Sequence, residues 1–522
     1  MSVGAVARLA PACVRDLVER QAQRSPQALY ALSADATQSL RFGALAQACT
    51  QVEALLRAHG LQVGDTVSLV MPNGLMTLQL LIGAMAGGFC VNPVNLLSQP
   101  EQMRYVLDHS DCRLVFVSPD WEPTVRAIVA SLGRSVALRV VDPHARTFAW
   151  PPDADAATAS SSALASADAP ASSQQALLMY TSGTTGVPKG VMLSQSSLVA
   201  NALAISAEHA LGPQDRVLAV LPLYHINAFA VTMLAPLAHG GSLLMPPKFS
   251  AAQFWAQAVE GACTWINLVP TMISYLLEGA APERAQTGAI RFCRSASAAL
   301  APEHLRAFES RFGIGVIETM GLTETAAPSF SNPLDAAQRK PGAVGRASGC
   351  EARVIDAALA PVADGVTGEL AIRGPNVMLG YYKNDDATRA AFTPDGWLRT
   401  GDLGRRDADG FFFVTGRIKE LIIKGGENIA PREIDEALLR HPAVQDAAAV
   451  GIPDRHYGQE IMACVVVRNG QRVDEAALRA FCVAQLGPYK TPKLIRFVAD
   501  LPRGPSGKVQ RLKLLALLDP PA

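Results

Sequence analysis

The sequence is organised around the stretch YTSGTTGVPKG at residues 180–190. This stretch sets four hydroxyl residues among three glycines and closes with Pro188, Lys189 and Gly190. Glycine lets a backbone turn so that several N–H groups point into one concavity, and hydroxyls and a lysine add donors and positive charge. The stretch therefore predicts a loop that holds a polyphosphate through Thr181, Ser182, Gly183, Thr184, Thr185, Gly186 and Lys189.

A Walker P-loop and a plain surface linker both fit this stretch less well. A P-loop of the Walker type ends in Gly-Lys-Ser/Thr, whereas Lys189 follows a proline and precedes a glycine. A Ser/Gly-rich surface linker requires neither the Pro-Lys ending nor flanking strands. Apolar, strand-like segments lie on both sides of the loop, ALLMY at 176–180 and VML at 191–193, which favours phosphate binding.

The composition is that of a folded enzyme with several domains. A chain of 522 residues is too long for one hydrophobic core, and its 49% apolar and 18% charged content is typical of a well-buried globular protein. The 46 basic and 46 acidic residues cancel, so neither a nucleic acid nor an anionic membrane surface is expected as a partner. The sequence leaves the oligomeric state open, a homodimer included.

Targeting and redox signals point to the cytoplasm. The nine cysteines are scattered singly, with no pattern of a disulfide framework or a zinc site, and are expected to be reduced thiols. The N-terminal residues lack the continuous apolar core of a signal peptide. The most apolar run, Gly74–Val91, is interrupted by polar residues and a Gly-Gly pair, so we expect a buried helix and strand and no membrane insertion.

Strand and helix patterns alternate through the first two thirds of the chain and predict an α/β fold with parallel sheets. Helices are predicted over 12–24, 42–58 and 74–86, with buried strands over 66–73, 89–95 and 112–118. The Ala/Ser/Asp/Pro-rich segment 151–175 is expected to be a flexible connection. Strands over 216–225, 264–270, 290–300 and 315–325 end in polar residues, which in open α/β sheets indicates one composite ligand site.

The C-terminal third has a different pattern. Short β-like pieces separated by Gly and Asp turns predict a β-rich subdomain over about 342–418. Residues 419–522 alternate strands and helices and are expected to form a separate, small α+β domain, including helices over 431–440 and 475–486. The expected domains are therefore 1–418 and 419–522.

Five separated blocks, in order, resemble those of the adenylate-forming acyl-CoA synthetases, the superfamily that also holds firefly luciferase and non-ribosomal peptide adenylation domains. The resemblance covers nearly the whole chain. Its blocks are YTSGTTGVPKG (180–190), GLTET (321–325), RTGDLG (399–404), GRIKELIIKGGENI (416–429) and LPRGPSGKVQR (501–511). It implies two large α/β subdomains, a β-rich subdomain and a mobile C-terminal domain. The implied reaction joins a carboxylic acid to coenzyme A with ATP and Mg²⁺, through an acyl-adenylate, and releases AMP and diphosphate.

The resemblance also implies roles for single residues. Glu324 is expected to bind magnesium and Thr323 the α-phosphate, because a carboxylate is a suitable ligand for a hard cation that also bridges phosphates. Asp402 is expected to accept the ribose hydroxyls, with Arg417 beside ribose and phosphate. Outside its block, Asp402 would be better explained as a turn-forming residue.

The adenine is expected between residues 295–299 and 318–321, beside Ser297, Ala298 and Met320. Most family members have an aromatic residue at the position of Met320, whose thioether can partly replace stacking. Met320 thus leaves the nucleotide affinity open.

The C-terminal domain supplies the remaining roles that the resemblance implies. Lys508 is expected to reach the reacting carboxylate and α-phosphate, where a cation lowers the barrier between two anions. Lys419 marks the hinge, and rotation about it brings Gly425 and Gly426 to the coenzyme A tunnel.

The acid pocket is the least determined part. The resemblance places His225, Asn227, Arg294, Ser295 and Thr319 around it, a short polar lining that disfavours a long fatty chain. Its blocks are most similar to those of oxalyl-CoA synthetases, so we expect a small dianionic acid such as oxalate, malonate or sulfoacetate. A medium-chain or aryl acid, or loading of a carrier protein instead of coenzyme A, remains an alternative.

Overall fold

The computed structural model describes residues 10–145, 168–181, 187–504 and 509–518. Within these ranges the strands form four sheets, which we call sheets I to IV. The helices and strands follow the alternation that the sequence predicts. The α-helices are Val14–Arg24 (α1), Phe42–Ala58 (α2), Leu75–Ala86 (α3), Pro100–His109 (α4), Glu122–Ala130 (α5), Gln195–Glu208 (α6), Ala235–His239 (α7), Phe254–Glu260 (α8), Pro270–Glu278 (α9), Pro302–Phe312 (α10), Asp385–Ala391 (α11), Pro431–Leu439 (α12) and Glu475–Leu486 (α13).

Strands occur in all parts of the described chain. They are Leu29–Ser33 (β1), Ser39–Arg41 (β2), Thr66–Val70 (β3), Cys90–Pro93 (β4), Leu114–Val117 (β5), Ala137–Val140 (β6), Gln175–Thr181 (β7), Lys189–Ser194 (β8), Arg216–Leu218 (β9), Ser242–Met245 (β10), Trp265–Leu268 (β11), Phe292–Ser295 (β12), Val316–Leu322 (β13), Ala327–Ser331 (β14), Arg346–Ala347 (β15), Glu351–Ile355 (β16), Gly368–Arg373 (β17), Gly380–Tyr381 (β18), Leu398–Arg406 (β19), Phe412–Arg417 (β20), Ile422–Lys424 (β21), Glu427–Ile429 (β22), Val444–Asp454 (β23), Gly458–Val467 (β24) and Leu494–Phe497 (β25).

Sheets I and II are the expected α/β sheets. Sheet I has the order β15-β14-β13-β12-β11-β9-β10-β1-β2, and sheet II has the order β18-β8-β7-β4-β3-β5-β6. The central strands of both are parallel, whereas β2, β8, β14, β15 and β18 add antiparallel edges. One continuous apolar core joins α1 to α3 with both sheets and includes Phe42, Leu81, Phe229 and Trp265. The other face of sheet I packs on Phe254, Ile273 and Phe308 from α8, α9 and α10.

Sheets III and IV correspond to the predicted β-rich and C-terminal parts. Sheet III is antiparallel, in the order β16-β17-β19-β20. Sheet IV contains β21 to β25 and packs on α12 and α13 around Ile434, Val465 and Leu478. Both α2 and α13 have the predicted bounds, because their apolar residues recur at helical spacing.

Two predictions of local structure are corrected or only partly tested. The strand predicted over 216–225 ends at Leu218, so His225 lies seven residues beyond it and just before a π-helix, Asn227–Leu234. Most of the connection predicted over 151–175 lies outside the described residues. Its described end is hydrogen-bonded to the start of α6, since the backbone N–H groups of Gln195 and Ser196 donate to the carbonyls of Gln174 and Ser172.

Candidate functional site

The phosphate loop connects two antiparallel strands at the edge of sheet II. Thr181 at the end of β7 pairs in register with Lys189 at the start of β8. The ammonium nitrogen of Lys189 lies 4.8 Å from the centre of the Tyr381 ring. The other predicted phosphate-binding residues lie outside the described residues, so their roles stay predictions. They are Ser182, Gly183, Thr184, Thr185 and Gly186.

Thr323 and Glu324 lie on a short 3₁₀-helix, Thr323–Thr325, that follows β13 of sheet I. Thr325 holds this turn, because its hydroxyl accepts from the Leu322 N–H at 3.0 Å and donates to the Ala327 carbonyl at 2.9 Å. Both Thr323 and Glu324 are half-buried and remain accessible. The hydroxyl of Tyr381 donates to Glu324 Oε1 at 2.8 Å, so Glu324 and Lys189 contact the same aromatic residue.

Asp402 and Arg417 form an ion pair between β19 and β20 of sheet III. They are register partners, and Arg417 Nε lies 2.6 Å from Asp402 Oδ1. Asp402 is 3% exposed, whereas the side chain of Arg417 is 36% exposed. Burial alone would lower the pKa of Arg417, but the carboxylates of Asp402 and Glu420 raise it overall. Arg417 thus stays cationic beside Asp402, whose carboxylate oxygens are acceptors suited to hydroxyl donors.

The predicted acid-pocket residues form one hydrogen-bonded network at the ends of β11, β12 and β13. Arg294 donates from Nη1 to Asn267 Oδ1 at 3.0 Å and from Nη2 to Thr319 Oγ1 at 2.7 Å. Asn267 Nδ2 donates to Asn227 Oδ1 at 3.3 Å, and Asn227 Nδ2 donates to Ser297 Oγ at 3.3 Å. The network therefore runs from exposed Ser297 to fully buried Arg294.

Two further pocket residues adjoin this network. Ser295 follows Arg294 on β12, and its main-chain oxygen accepts from Thr319 Oγ1 at 3.3 Å. His225 precedes the π-helix that begins at Asn227, and its main-chain oxygen accepts from Phe229 N at 3.0 Å. π-helical turns are frequent at functional sites. All five predicted pocket residues thus belong to one neighbourhood of sheet I.

Arg294 is a cation buried among neutral groups. Its side chain is 0% exposed, its described partners are the amide of Asn267 and the hydroxyl of Thr319, and its Nε has no hydrogen-bond partner among the described residues. Burial lowers the pKa of Arg294 to about 9, which still leaves the guanidinium charged at neutral pH. Within the described part of the chain no carboxylate forms an ion pair with it. A buried charge of this kind is costly unless an anion reaches it.

The predicted adenine-binding segment contains a strained residue. Ser297 has a φ of +72° without being a glycine, and such conformations cluster at ligand-binding positions. Ala298 beside it is half-buried. Met320 pairs in register with Phe330 and packs against the apolar cluster of Phe330, Val344 and Phe412. No described contact tests whether Met320 replaces an aromatic ring, so its role stays a prediction.

The predicted hinge lies between two ion pairs. Lys419 is exposed on a 3₁₀-helix, Ile418–Glu420, between β20 and β21. Arg417 before it is held by Asp402 of sheet III. Glu420 after it lies 3.3 Å from Arg511 Nε, and Arg511 also pairs with the buried Asp435 of α12. Backbone rotation at the hinge would therefore be confined to residues 418–419.

Gly425 and Gly426 form the exposed turn between β21 and β22. Their φ angles are +55° and +87°, which side chains rarely adopt. A Cβ at Gly425 would approach the Tyr489 hydroxyl to 3.1 Å and the Tyr457 ring to 3.2 Å. The turn thus requires glycine at its first position and is free of bulk, as the predicted coenzyme A tunnel would need.

Lys508 lies outside the described residues, but the chain on either side of it is placed. Arg503 and Val509 form an antiparallel bridge. Arg503 Nη1 donates to Thr271 Oγ1 at 3.1 Å. Thr271 lies at the start of α9, which follows the strand of Asn267. Arg503, which precedes the segment of Lys508, therefore contacts α9, the helix that follows the strand of Asn267.

Sequence reasoning missed Asn267 and Tyr381. Asn267 lies in the strand predicted over 264–270, one of the four strands expected to end at the ligand site, but it was not named as a site residue. Its amide connects Asn227 with Arg294. A single asparagine inside an otherwise apolar strand was the available signal. Tyr381 is distant in sequence from both groups that it contacts, and no local pattern marked it.

The described residues fit magnesium bound together with nucleotide. No group of three or more His, Cys, Asp or Glu side chains that could hold a metal occurs in the described ranges. Magnesium is commonly bound by one or two carboxylates plus substrate phosphates, so the single accessible Glu324 suits it.

No helix in the described ranges is long and apolar enough to cross a membrane.

Comparisons with protein-family models match both parts of the chain. The model described as "AMP-binding enzyme" matches residues 18–382. The model described as "AMP-binding enzyme C-terminal domain" matches residues 433–508. Together the two models span the phosphate loop, the acid-pocket network and the Lys508 segment in the order that the sequence predicts.

Similar proteins and structures extend along nearly the whole chain. A sulfoacetate–CoA ligase of Cupriavidus necator is 58% identical over 96% of both chains. An oxalate–CoA ligase of Arabidopsis thaliana is 35% identical over 88% of this chain and 89% of its own. The crystal structure of ATP-bound MatB from Rhodopseudomonas palustris superposes with a TM-score of 0.87, at 31% identity, over 97% of this chain and 100% of the other.

Proposed function

The chain belongs to the AMP-binding enzyme family and is an ATP-dependent, AMP-forming carboxylate–CoA ligase, and from this premise we propose that its acid is a small dianion, foremost sulfoacetate. The buried, uncompensated guanidinium of Arg294 carries this proposal. In a monoanionic acid the one carboxylate attacks the α-phosphate, so no anionic group is left to pair with Arg294. A second acidic group on the substrate would neutralise it.

Sulfoacetate suits this pocket in charge. A sulfonate offers three oxygens as acceptors, and the guanidinium of Arg294, whose Nε has no hydrogen-bond partner among the described residues, offers a fork of donors. The amides of Asn227 and Asn267 add neutral polar groups around it. The 58% identity to a sulfoacetate–CoA ligase supports this acid above oxalate, whose ligases are 35% and 39% identical.

The other residues divide the first half-reaction between them. We assign Lys189 and the loop after Thr181 to the leaving diphosphate, Thr323 to the α-phosphate and Asp402 to the ribose. Magnesium, held by Glu324 with the phosphates, would neutralise phosphate charge. Lys508 would stand between the attacking carboxylate and the α-phosphate, where positive charge lowers the barrier most.

We assign the second half-reaction to a rotated arrangement of the C-terminal domain. In the present arrangement Arg503, five residues before Lys508, contacts Thr271 of α9, which supports the assignment of this arrangement to adenylation. Rotation about residues 418–419 would remove Lys508 and bring Gly425 and Gly426 toward the acyl-adenylate. The coenzyme A thiol would then displace AMP and form the thioester.

We further propose that the enzyme acts in the cytoplasm. Its nine cysteines are free thiols, eight of them buried, as in a reducing compartment. A homodimer stays a prediction from the sequence.

The direct test of the substrate is a panel of acids followed by diphosphate release. Sulfoacetate, oxalate and malonate are compared with octanoate, benzoate and propanoate at equal concentration, with and without coenzyme A. We expect sulfoacetate to give the highest kcat/KM and the monoanions to be slower by roughly a hundredfold, the loss of a charge-assisted contact in a buried site. Strong turnover of octanoate or benzoate with none of the dianions would overturn the proposal.

A further inference from the structure

The short segment 378–382 is hydrogen-bonded both to the turn that contains Glu324 and to the strand that begins at Lys189. Met378 N donates to the Glu324 carbonyl at 2.8 Å, and Tyr382 N donates to the Gly190 carbonyl at 2.8 Å. Between them, β18 pairs with β8 so that Tyr381 lies opposite Val191. The backbone of Tyr381 is therefore fixed relative to the strand of Lys189 and to the turn of Glu324.

The side chain of Tyr381 lies between these two charged groups. Its hydroxyl donates to Glu324 Oε1 at 2.8 Å, and its ring centre is 4.8 Å from Lys189 Nζ. Among the described residues no direct ion pair joins Lys189 to Glu324.

This arrangement has two consequences for the charges. A donor fixed on one carboxylate oxygen sets the orientation of the carboxylate and leaves the other oxygen for a cation, as outer-sphere partners of metal ligands do. The ring face also lies 4.8 Å from Lys189 Nζ, so the cation contacts the ring while the carboxylate contacts the hydroxyl. A cation over an aromatic face keeps its charge available, because the ring offers only a quadrupole.

We propose that Tyr381 is a positioning residue that orients Glu324 for magnesium and separates it from Lys189, so that the metal and the lysine address different phosphate oxygens of one ATP. This inference rests on the proposed assignment of Glu324 and Lys189 to ATP. The phenol hydroxyl then governs the metal requirement, whereas the ring governs the affinity for nucleotide without metal.

Tyr381→Phe and Tyr381→Leu separate the two effects, with Tyr382→Phe as the matched control. Tyr382 is the next residue, and its hydroxyl donates to Asp111 at 2.8 Å instead of to Glu324. Two quantities are measured for each variant: the Mg²⁺ concentration for half-maximal diphosphate release, and the calorimetric affinity for ATP with and without Mg²⁺.

We expect Tyr381→Phe to raise the half-saturating Mg²⁺ concentration about tenfold, since one hydrogen bond to a charged group is lost, and to leave metal-free ATP affinity unchanged. Tyr381→Leu should also weaken metal-free ATP binding severalfold, because Lys189 can then pair with Glu324. Tyr382→Phe should resemble the wild type in both quantities.

A Tyr381→Phe enzyme with the wild-type Mg²⁺ requirement would overturn the inference, even if Tyr381→Leu fails to fold. So would equal shifts for Tyr381→Phe and Tyr382→Phe, because they would show a general effect on the fold. Either result would leave the ligase assignment standing, since that depends on acid- and coenzyme A-dependent turnover of the wild type. Absence of that turnover would instead contradict the proposed function.

Discussion

Lys189 and Arg294 are the cations at the two ends of the proposed site, and their surroundings differ. Lys189 is half-buried at the edge of sheet II, with the ring of Tyr381 4.8 Å away and the Glu324 carboxylate bonded to the hydroxyl of that ring. Arg294 is fully buried in sheet I, and its described partners are the neutral side chains of Asn267 and Thr319.

The difference concerns how each cation is compensated. The side chain of Lys189 is partly exposed, so solvent compensates its charge before ATP and magnesium bind. The charge of Arg294 is shielded from solvent, and neither of its described partners is an acid, so an anion that enters the pocket is needed to offset its burial. The nucleotide end is thus adaptable, whereas the acid end is selective.

The largest effect is expected from a third cation that belongs to neither end. Lys508→Ala should slow acyl-adenylate formation by roughly a hundredfold or more, because one electrostatic partner of the transition state is lost. The rate of thioester formation from pre-made acyl-adenylate should change little. Rapid-quench measurement of each half-reaction checks this, and an equal loss in both would contradict the two-arrangement mechanism.

Lys189→Met tests whether the two ends act independently. The KM for ATP should rise roughly tenfold, as expected for one lost contact to a charged group. The ratio of kcat/KM for sulfoacetate to that for propanoate should stay at the wild-type value. Steady-state kinetics with both acids measures it. A changed ratio would mean that the acid preference is not set at Arg294 alone.

A buried acid of sheet I provides a smaller test of how burial affects the ionisation of a side chain. Glu318 on β13 is 6% exposed, and burial raises its pKa to about 7, against the lowering effects of the Gly342 N–H and of Arg432 on α12. The side chain of Glu436 adds a like charge. This buried acid therefore tends to keep its proton, whereas the buried arginine keeps its charge.

Glu318→Gln should change how stability depends on pH. An unfolded glutamate loses its proton near pH 4.3, whereas folded Glu318 holds it to about pH 7, so wild-type stability falls as the pH rises through this window. The variant lacks this loss, and its stability relative to the wild type should grow by up to about 3 kcal/mol between pH 5 and 8. Thermal unfolding across that range measures it. A constant difference would show that Glu318 ionises normally, and the exposed Glu283→Gln is the control.

The layered α/β fold could be predicted because its signals are local. The apolar spacing in 42–58 and 475–486 predicted the observed bounds of α2 and α13. Residues 227–234 contain no polar face, so no periodicity indicated the buried π-helix. The strand predicted over 216–225 was too long for the same reason, since an apolar run does not mark where pairing stops.

The site could be predicted only as a set of residues. The motif blocks and the resemblance identified Glu324, Asp402 and Arg294, but their partners depend on pairings between distant segments. The contact of Tyr381 with Glu324 requires β18 to pair with β8, and the contact of Arg294 with Asn267 requires the register of β11 and β12. Neither register is written in a local pattern. The compensation of charge, on which specificity depends, is therefore a property of the fold.

The central claim, that the buried charge of Arg294 selects a dianionic acid, is tested most directly by one ratio. It is kcat/KM for sulfoacetate divided by kcat/KM for propanoate, measured by diphosphate release for the wild type and for Arg294→Leu. Arg291→Leu, which removes a partly exposed arginine paired with Asp215, is the control. We predict that the ratio falls roughly a hundredfold in Arg294→Leu alone. An unchanged ratio in an Arg294→Leu enzyme that still turns over would contradict the claim.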